Sequence, residues 1–245
     1  MREMSRPPSA VLATPSVQRL KRIALALGEF AEEVVFIGGA IAPLLQLDPP
    51  FPEARPTKDI DGVVASTTYA DMERMREALQ GKGFTQRPHD SAHIHRWWSP
   101  EGDALDLVPS GSHFGGSGQL WDRLALRHFL VVDLAEGIQI RHADAPAFLA
   151  LKWAAFADRG RVDPFGSHDL EDILALIASR VDIVGEVDRA LAELKQFVAE
   201  STRQFLQQQR VDDMLAGHLN NAQDPRATMR LAQERLDNIA QLANA

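Results

Sequence analysis

Two aspartates separated by one apolar residue, Asp59 and Asp61, stand just before the small apolar run "VVA". The run predicts a buried strand, in which alternate residues point to the same face and Ile60 points into the core. Two neighbouring carboxylates repel each other unless a cation lies between them. The pattern therefore predicts a site for Mg²⁺, which takes carboxylate oxygens together with substrate phosphates. A strand with one capping and one exposed aspartate would have the same pattern.

A third carboxylate, Asp106, occupies the centre of the alternating segment "ALDLV", between Leu105 and Leu107. A charged residue at this place in a strand requires a partner. Together with Asp59 and Asp61 it could hold two Mg²⁺ or Mn²⁺ ions. Such ions clamp the attacking and leaving oxygens in an in-line displacement at phosphorus.

A Gly-Gly pair, Gly38 and Gly39, separates the apolar segment "VVFI" from the apolar segment "AIAPLL". Glycines at a strand-to-helix turn let the backbone approach a phosphate, which the free N–H groups of a helix N-terminus favour. A tight turn without any ligand also accounts for the pair. Further along, Arg96, Trp97 and Trp98 could stack a nucleobase, and core packing of a tryptophan is the alternative.

The periodicity of apolar residues divides the chain into two parts. Six short segments between residues 34 and 142 predict strands: "VVFIGG", "DIDGVV", "IHRWW", "ALDLV", "FLVVDL" and "IQIRH". Helical periodicity marks residues 15–32 and 68–83, and after Asp144 it marks residues 145–160, 167–180, 184–210 and 225–245. An α/β domain over residues 1–143 and a helical domain over residues 144–245 follow from this division.

Composition sets limits on the class of protein. The 245 residues are 45% hydrophobic and 24% charged, which is typical of a soluble globular protein. There is no cysteine, which excludes disulfides and thiolate metal sites. The formal net charge of −8 argues against a broadly basic surface for nucleic acids. No long apolar stretch and no signal-peptide core are present, so that a cytoplasmic protein without a membrane partner is expected.

Taken together, Gly-Gly, the later "RPTKDID" and a strand aspartate resemble the nucleotidyltransferases of the DNA polymerase β superfamily. The segment "FLALKWAAFADRGRVDPFGSHDLEDILALI" is similar to the AbiEii/AbiGii toxin-like members of that superfamily. The resemblance spans roughly residues 30–200. It implies an α+β fold, in which a mixed sheet with flanking helices forms a polymerase β-like domain that is followed by a helical domain.

The resemblance also implies roles for individual residues. The metal ligands and catalytic carboxylates would be Asp59, Asp61 and Asp106. The helical domain would add Lys152 as the contact to the NTP triphosphate, with Asp169 and Asp172 closing the site. Gly38, Gly39, Arg55 and Thr57 would complete the nucleotide site. The family's glycine turn usually continues with Ser or Thr, and here Ala40 leaves only backbone N–H groups for a phosphate.

The charged residues of the helical part also allow a structural interpretation when each is taken alone. Lys152 could extend its charged end from an apolar helix face, and it shares that face with Arg159 as a phosphate-binding pair would. Asp169 could cap a helix, with Asp172 as its reciprocal acidic partner.

The predicted activity is the metal-dependent transfer of a nucleoside monophosphate from an NTP to an acceptor. The resemblance implies a tRNA, a protein side chain or a small molecule as acceptor. It also implies a role as the toxin of a toxin–antitoxin pair, with a cognate antitoxin as partner. Two alternatives stay open: a catalytically silent nucleotide- or RNA-binding module, and an adenylyltransferase that modifies small molecules such as antibiotics.

Overall fold

The computed structural model describes residues 7–46, 57–87, 95–111, 120–135 and 137–244. Contacts divide these residues into two compact units. Unit 1 comprises the described residues of Met1–Leu44 and Arg55–Asp144, and unit 2 comprises those of Leu45–Ala54 and Ala145–Ala245. The domain limits proposed from sequence stay a prediction, because a division by contacts does not test whether each part folds alone.

Unit 1 contains a six-stranded mixed sheet. Its strands are β1 (Val34–Ile37), β2 (Asp59–Val64), β3 (Arg96–Trp98), β4 (Ala104–Pro109), β5 (Phe129–Asp133) and β6 (Gln139–Ala143). Their order is β3-β4-β2-β1-β6-β5. The pairs β2–β4 and β1–β6 are parallel, whereas β1–β2, β3–β4 and β5–β6 are antiparallel. All six strands predicted from the sequence are confirmed.

The helices of unit 1 lie before and between these strands. They are α1 (Ser9–Leu12), α2 (Pro15–Leu27), α4 (Tyr69–Gly81) and α5 (Leu120–Ala125). In a further short helix, α3 (Ala42–Leu45), all residues but the last belong to unit 1. Helix α2 buries Val17, Leu20, Ile23 and Leu27, which recur at helical spacing and form its core face. Helix α4 begins at Thr68, whose side chain forms a capping box with Asp71.

Unit 2 is helical. It contains α6 (Ala145–Ala155), α7 (His168–Ser179), α8 (Ile183–Asp188), α9 (Ala192–Leu206), α10 (Val211–Leu219) and α11 (Pro225–Gln241). One π-helical turn, Phe156–Gly160, continues α6. Trp153, Phe156 and Phe205 pack together in the core, with ring centroids 5.6 to 6.4 Å apart. The α+β class with a following helical region is confirmed.

One predicted helix is wrong in extent. The sequence predicts a continuous helix over residues 184–210, and the structure has two helices, α8 and α9, separated at residues 189–191. Leu191 is extended there, with φ −53° and ψ 143°. Neither Gly nor Pro marks this break, so the 3.6-residue pattern continues through it. Helix α10 lies beyond the helical segments that the sequence pattern delimits.

No helix within the described ranges is both long enough and apolar enough to cross a membrane.

Candidate functional site

Strands β2 and β4 bring three carboxylates to one face of the sheet. Asp61 is the register partner of Asp106, and Asp59 is the partner of Ala104. Parallel neighbours in register point to the same face, with their strands about 4.8 Å apart. Asp59 and Asp61 are partly exposed, whereas Ile60 between them is fully buried. We call Asp59, Asp61 and Asp106 the carboxylate row; the alternation that predicted their common face is present.

Gly38 lies directly against the carboxylate row, at the end of β1. It follows Ile37, the register partner of Asp61. Its φ is +73°, a conformation that residues with a β-carbon rarely adopt. A β-carbon at Gly38 would lie 2.1 Å from Oδ2 of Asp61. Here the absence of a side chain makes room for the Asp61 carboxylate.

Strand β3 adds a cation that the sequence analysis assigned to a different role. Arg96 is the register partner of Asp106. Its Nε donates to Oδ1 of Asp106 at 2.8 Å, and its Nη2 donates to Oδ2 of Asp106 at 2.6 Å. The same Nη2 donates to Oδ2 of Asp59 at 2.8 Å. Arg96 therefore bridges two members of the carboxylate row. The residue spacing in the sequence does not predict this contact.

The carboxylate row suits a divalent cation by the chemistry of its donors. Hard cations such as Mg²⁺ take carboxylate oxygens, and the bridge made by Arg96 shows that one positive group reaches both Asp59 and Asp106. Within the described segments, however, no group of three or more carboxylate or imidazole side chains stands ready to hold a metal ion. The carboxylate oxygens are suitable ligands for a metal ion, but with Arg96 bound their arrangement does not form a metal site.

The other residues of unit 1 that were predicted to bind the nucleotide are Arg55, Thr57 and Gly39. Arg55 lies outside the described residues. The hydroxyl of Thr57 donates to the backbone carbonyl of Asp59 at 3.1 Å, which supports the start of β2. Gly39 is buried and begins a short 3₁₀ helix, Gly39–Ile41. Binding of a nucleotide by these residues stays a prediction.

The predicted base-stacking group is divided by the alternation of β3. Trp97 is 3% exposed and belongs to the core. Trp98 lies on the opposite face, and the guanidinium of Arg87 stacks over its ring at 3.5 Å from the centroid. Arg96 forms ion pairs with the carboxylate row. The core alternative is correct for Trp97. Trp98 is the tryptophan of β3 that lies on the same face as the carboxylate row.

Unit 2 holds its own charged group, which we call the lysine cluster: Lys152, Arg159, Asp169 and Asp172. The Nζ atom of Lys152 is 3.1 Å from Oδ1 of Asp169 and 2.6 Å from Oδ2 of Asp172. Arg159 donates to both oxygens of Asp169, at 2.8 and 3.1 Å. Lys152 is buried, whereas the Arg159 side chain is 70% exposed. The cluster joins α6 and its π-helical turn to α7, and its two cations face two carboxylates.

The pKa values within the lysine cluster follow from these contacts. Burial lowers the pKa of Lys152, but the charges of Asp172 and Asp169 outweigh that effect and raise its pKa above the usual value. Burial works to raise the pKa of Asp169, and the hydrogen bond from Arg159 together with the charge of Lys152 holds that pKa below the usual value. Lys152 and Asp169 are therefore both ionised at neutral pH.

The residue that caps the N-terminus of α7 is not Asp169. Its N-cap is Ser167, whose side chain accepts a hydrogen bond from the N–H of Leu170 at 3.3 Å. Asp169 lies inside the first turn and points its carboxylate to Lys152 and Arg159. The capping alternative for Asp169 and Asp172 is wrong. A contact of Lys152 with a triphosphate is not tested by this geometry and stays a prediction.

Comparisons with known proteins give limited information. No protein-family model matches the chain, and no curated protein matches it. Among solved structures, an antigenic nucleotidyltransferase-like protein from Paracoccidioides brasiliensis is similar to it, with a TM-score of 0.47 and 16% sequence identity. That similarity covers 91% of this chain and 94% of the other. A likeness at this level establishes neither the family nor the activity of this chain.

Proposed function

We propose that this protein is a metal-dependent nucleotidyltransferase that moves a nucleoside monophosphate from an NTP to a hydroxyl-bearing acceptor. The observation that carries the proposal is the carboxylate row, in which Asp61 pairs in register with Asp106 and Asp59 lies on the same face. Three carboxylates on one face of a sheet repel one another, and cations must offset that repulsion.

The carboxylate row would hold Mg²⁺ or Mn²⁺, which would neutralise phosphate charge and orient the NTP. Asp59 and Asp61 would supply oxygen ligands. Asp106 would supply a ligand and accept the proton of the acceptor hydroxyl. The acceptor oxygen forms a bond to the α-phosphorus as the bond to pyrophosphate breaks, and pyrophosphate leaves. Gly38 would keep Asp61 in place by leaving its carboxylate room.

The finer parts of the proposal come from the resemblance to the AbiEii/AbiGii toxin-like proteins. They are an acceptor such as tRNA, a protein side chain or a small molecule, a toxin role with an antitoxin partner, and triphosphate binding by Lys152. In the lysine cluster a triphosphate would have to compete with Asp169 and Asp172 for the ammonium group. Triphosphate binding by Lys152 thus requires these ion pairs to open or to be shared.

A second candidate function is a silent nucleotide- or RNA-binding module. The observation that favours it is Arg96, which already satisfies Asp106 on both oxygens and also binds Asp59. If Asp59 and Asp106 stay bound to Arg96, the carboxylate row would not take up a metal ion. This candidate predicts nucleotide binding without transfer.

One experiment separates these functions. The full chain is incubated with each α-labelled NTP, Mg²⁺, and total tRNA, cell extract or a cationic aminoglycoside-type small molecule, and labelled products are resolved by electrophoresis and thin-layer chromatography. We expect label on one acceptor, and a loss of about a hundredfold or more in Asp61→Asn and Asp106→Asn, as expected when a group that stabilises the transition state is removed. Asp212→Asn, an exposed aspartate of α10, is the matched control. Nucleotide binding with no labelled product from any NTP would favour the silent module.

A further inference from the structure

The guanidinium of Arg96 occupies the place between Asp59 and Asp106 that a bridging cation would take. It is bound to both oxygens of Asp106 and to one oxygen of Asp59, at 2.6 to 2.8 Å. Charge-assisted contacts are roughly twice as strong as hydrogen bonds between neutral groups, and the pair with Asp106 is bidentate. The side chain is held in a partly buried position, 18% exposed, so solvent screens these contacts only in part.

Arg96 is a single positive charge beside three carboxylates. Three carboxylates of the row stand on the same face as one guanidinium. Asp61 is the direct register neighbour of Asp106 on the side away from β3. Arg96 alone therefore cannot neutralise three ionised carboxylates.

A metal ion and Arg96 nevertheless compete for the same oxygens. Mg²⁺ binds carboxylate oxygens at about 2.1 Å and demands near-octahedral directions. Both oxygens of Asp106 are already directed at the guanidinium. A divalent cation bound there would also lie close to a like charge, which is unfavourable in a partly buried site. The two cations therefore cannot both make their full contacts with Asp106.

We propose that Arg96 is an internal counter-cation that holds Asp59 and Asp106 together in the metal-free protein and that a divalent metal ion displaces. This inference rests on the metal site of the proposed function and deepens it. Arg96 is then a positioning residue: it prevents repulsion within the carboxylate row and sets how much metal is needed to occupy it. Metal binding to the carboxylate row is then an exchange, in which the metal ion replaces the guanidinium of Arg96.

The test is direct binding of Mn²⁺ to the full chain at pH 7, measured by the electron paramagnetic resonance signal of free Mn²⁺. Arg96→Gln removes the charge and the bidentate contact, and Arg96→Lys keeps the charge without the fork geometry. Arg74→Gln is the matched control, since Arg74 is an exposed arginine of unit 1 that pairs with Glu33 at 3.4 Å. We expect Arg96→Gln to bind Mn²⁺ about tenfold more tightly or better, as the competitor is gone. We expect Arg96→Lys to be intermediate and the control to be within twofold of the parent.

The outcomes separate this inference from the proposed function. Equal Mn²⁺ affinity in the parent, Arg96→Gln and the control would overturn the displacement and leave the metal site in place. Weaker binding in Arg96→Gln would overturn it as well, since Arg96 would then support the metal. No Mn²⁺ binding by any of the proteins would overturn both the inference and the metal-dependent function.

A second measurement needs no Arg96→Gln protein and covers the case in which that variant does not fold. The Nε–H resonance of Arg96 in ¹⁵N-labelled parent protein, assigned with Arg96→Lys, is followed during titration with diamagnetic Mg²⁺. We expect it to shift and to exchange faster with water as the guanidinium leaves Asp106. A resonance that stays unchanged while Mg²⁺ binds, as shown by a shift in melting temperature, would overturn the displacement.

Discussion

Gly38 and Asp61 are in such close contact that a single β-carbon at Gly38 would lie 2.1 Å from Oδ2 of Asp61. Gly38 directly follows β1, and Asp61 lies in β2, the antiparallel neighbour of β1. The backbone of one residue thus limits the position of a carboxylate on another. This contact links the Gly-Gly pair and the Asp-x-Asp pair of the sequence through direct packing.

Gly38→Ala should therefore destabilise the protein and displace Asp61. The positive φ alone costs an alanine about 1–2 kcal/mol, and the collision adds about 1–3 kcal/mol of overpacking. Gly102→Ala is the matched control, because Gly102 also has a positive φ, +87°, and no atom lies within 4 Å of its added β-carbon. Urea unfolding should show the larger loss in Gly38→Ala. Equal losses would mean that the contact with Asp61 carries no energy.

Lys152→Ala should cost much more stability than removal of Lys195, a partly exposed lysine with an exposed ion-pair partner. The change leaves Asp169 and Asp172 buried with less compensation, and breaking such a pair typically costs about 3–5 kcal/mol. Lys195→Ala is the control within unit 2, since Lys195 pairs at 2.7 Å with a half-exposed Asp188 and should cost about 0.2–1 kcal/mol. Chemical denaturation measures both. A loss below about 1 kcal/mol for Lys152→Ala would show that the lysine cluster is not a structural ion-pair network.

Asp122 should make the protein less stable as the pH rises from about 4 to about 6. It is buried, and burial raises its pKa from 3.8 to about 6 despite the nearby charge of Arg123. A carboxyl whose folded-state pKa exceeds its unfolded value favours folding only while it is protonated, so the cost is complete above the folded pKa. Asp122→Asn should therefore gain about 1–3 kcal/mol at pH 8 and little at pH 4.

Thermal melting of Asp122→Asn at both pH values is the measurement, with the exposed Asp212→Asn as its control. A gain of the same size at pH 4 and pH 8 would contradict an ionisation effect. It would point to a packing effect of the amide.

Asp103 should stabilise the attachment of α2 to the sheet. It accepts hydrogen bonds from Arg22 at 2.7 and 2.9 Å and from Arg19 at 3.2 Å, and Arg19 also donates to the carbonyl of Thr57 before β2. The hydrogen bond from Arg22 is the main cause of a lowered Asp103 pKa. The contribution is therefore present above about pH 4 and is lost as the pH falls through the folded-state pKa.

Asp103→Asn should lower the free energy of unfolding by about 1 kcal/mol at pH 7, a value reduced for the solvent exposure of both arginines. Glu101→Gln is the control, because Glu101 is 64% exposed and 3.7 Å from Arg22. Its loss should stay within about 0.5 kcal/mol, as for most surface changes. A difference between parent and Asp103→Asn that persists unchanged at pH 3 would contradict an electrostatic origin.

The periodicity of the sequence predicted the strands well and the helix limits less well. The six strands have three to six residues each, and their apolar and alternating patterns identify them. The break between α8 and α9 was not predicted because residues 189–191 contain neither Gly nor Pro. The capping alternative for Asp169 failed because Ser167, two residues earlier, caps α7.

The sequence alone determined that Asp59 and Asp61 share a face and that Ile60 is buried, because the period of a strand is a local property of the backbone. Only the tertiary structure decided which groups meet these carboxylates. Arg96 reaches Asp106 across 10 residues and Asp59 across 37, through the strand order β3-β4-β2. Strand order depends on how the whole sheet assembles, and the period of a single strand does not specify it. For the same reason, the sequence did not predict the packing of Gly38 against Asp61 or the burial of Lys152 between two aspartates.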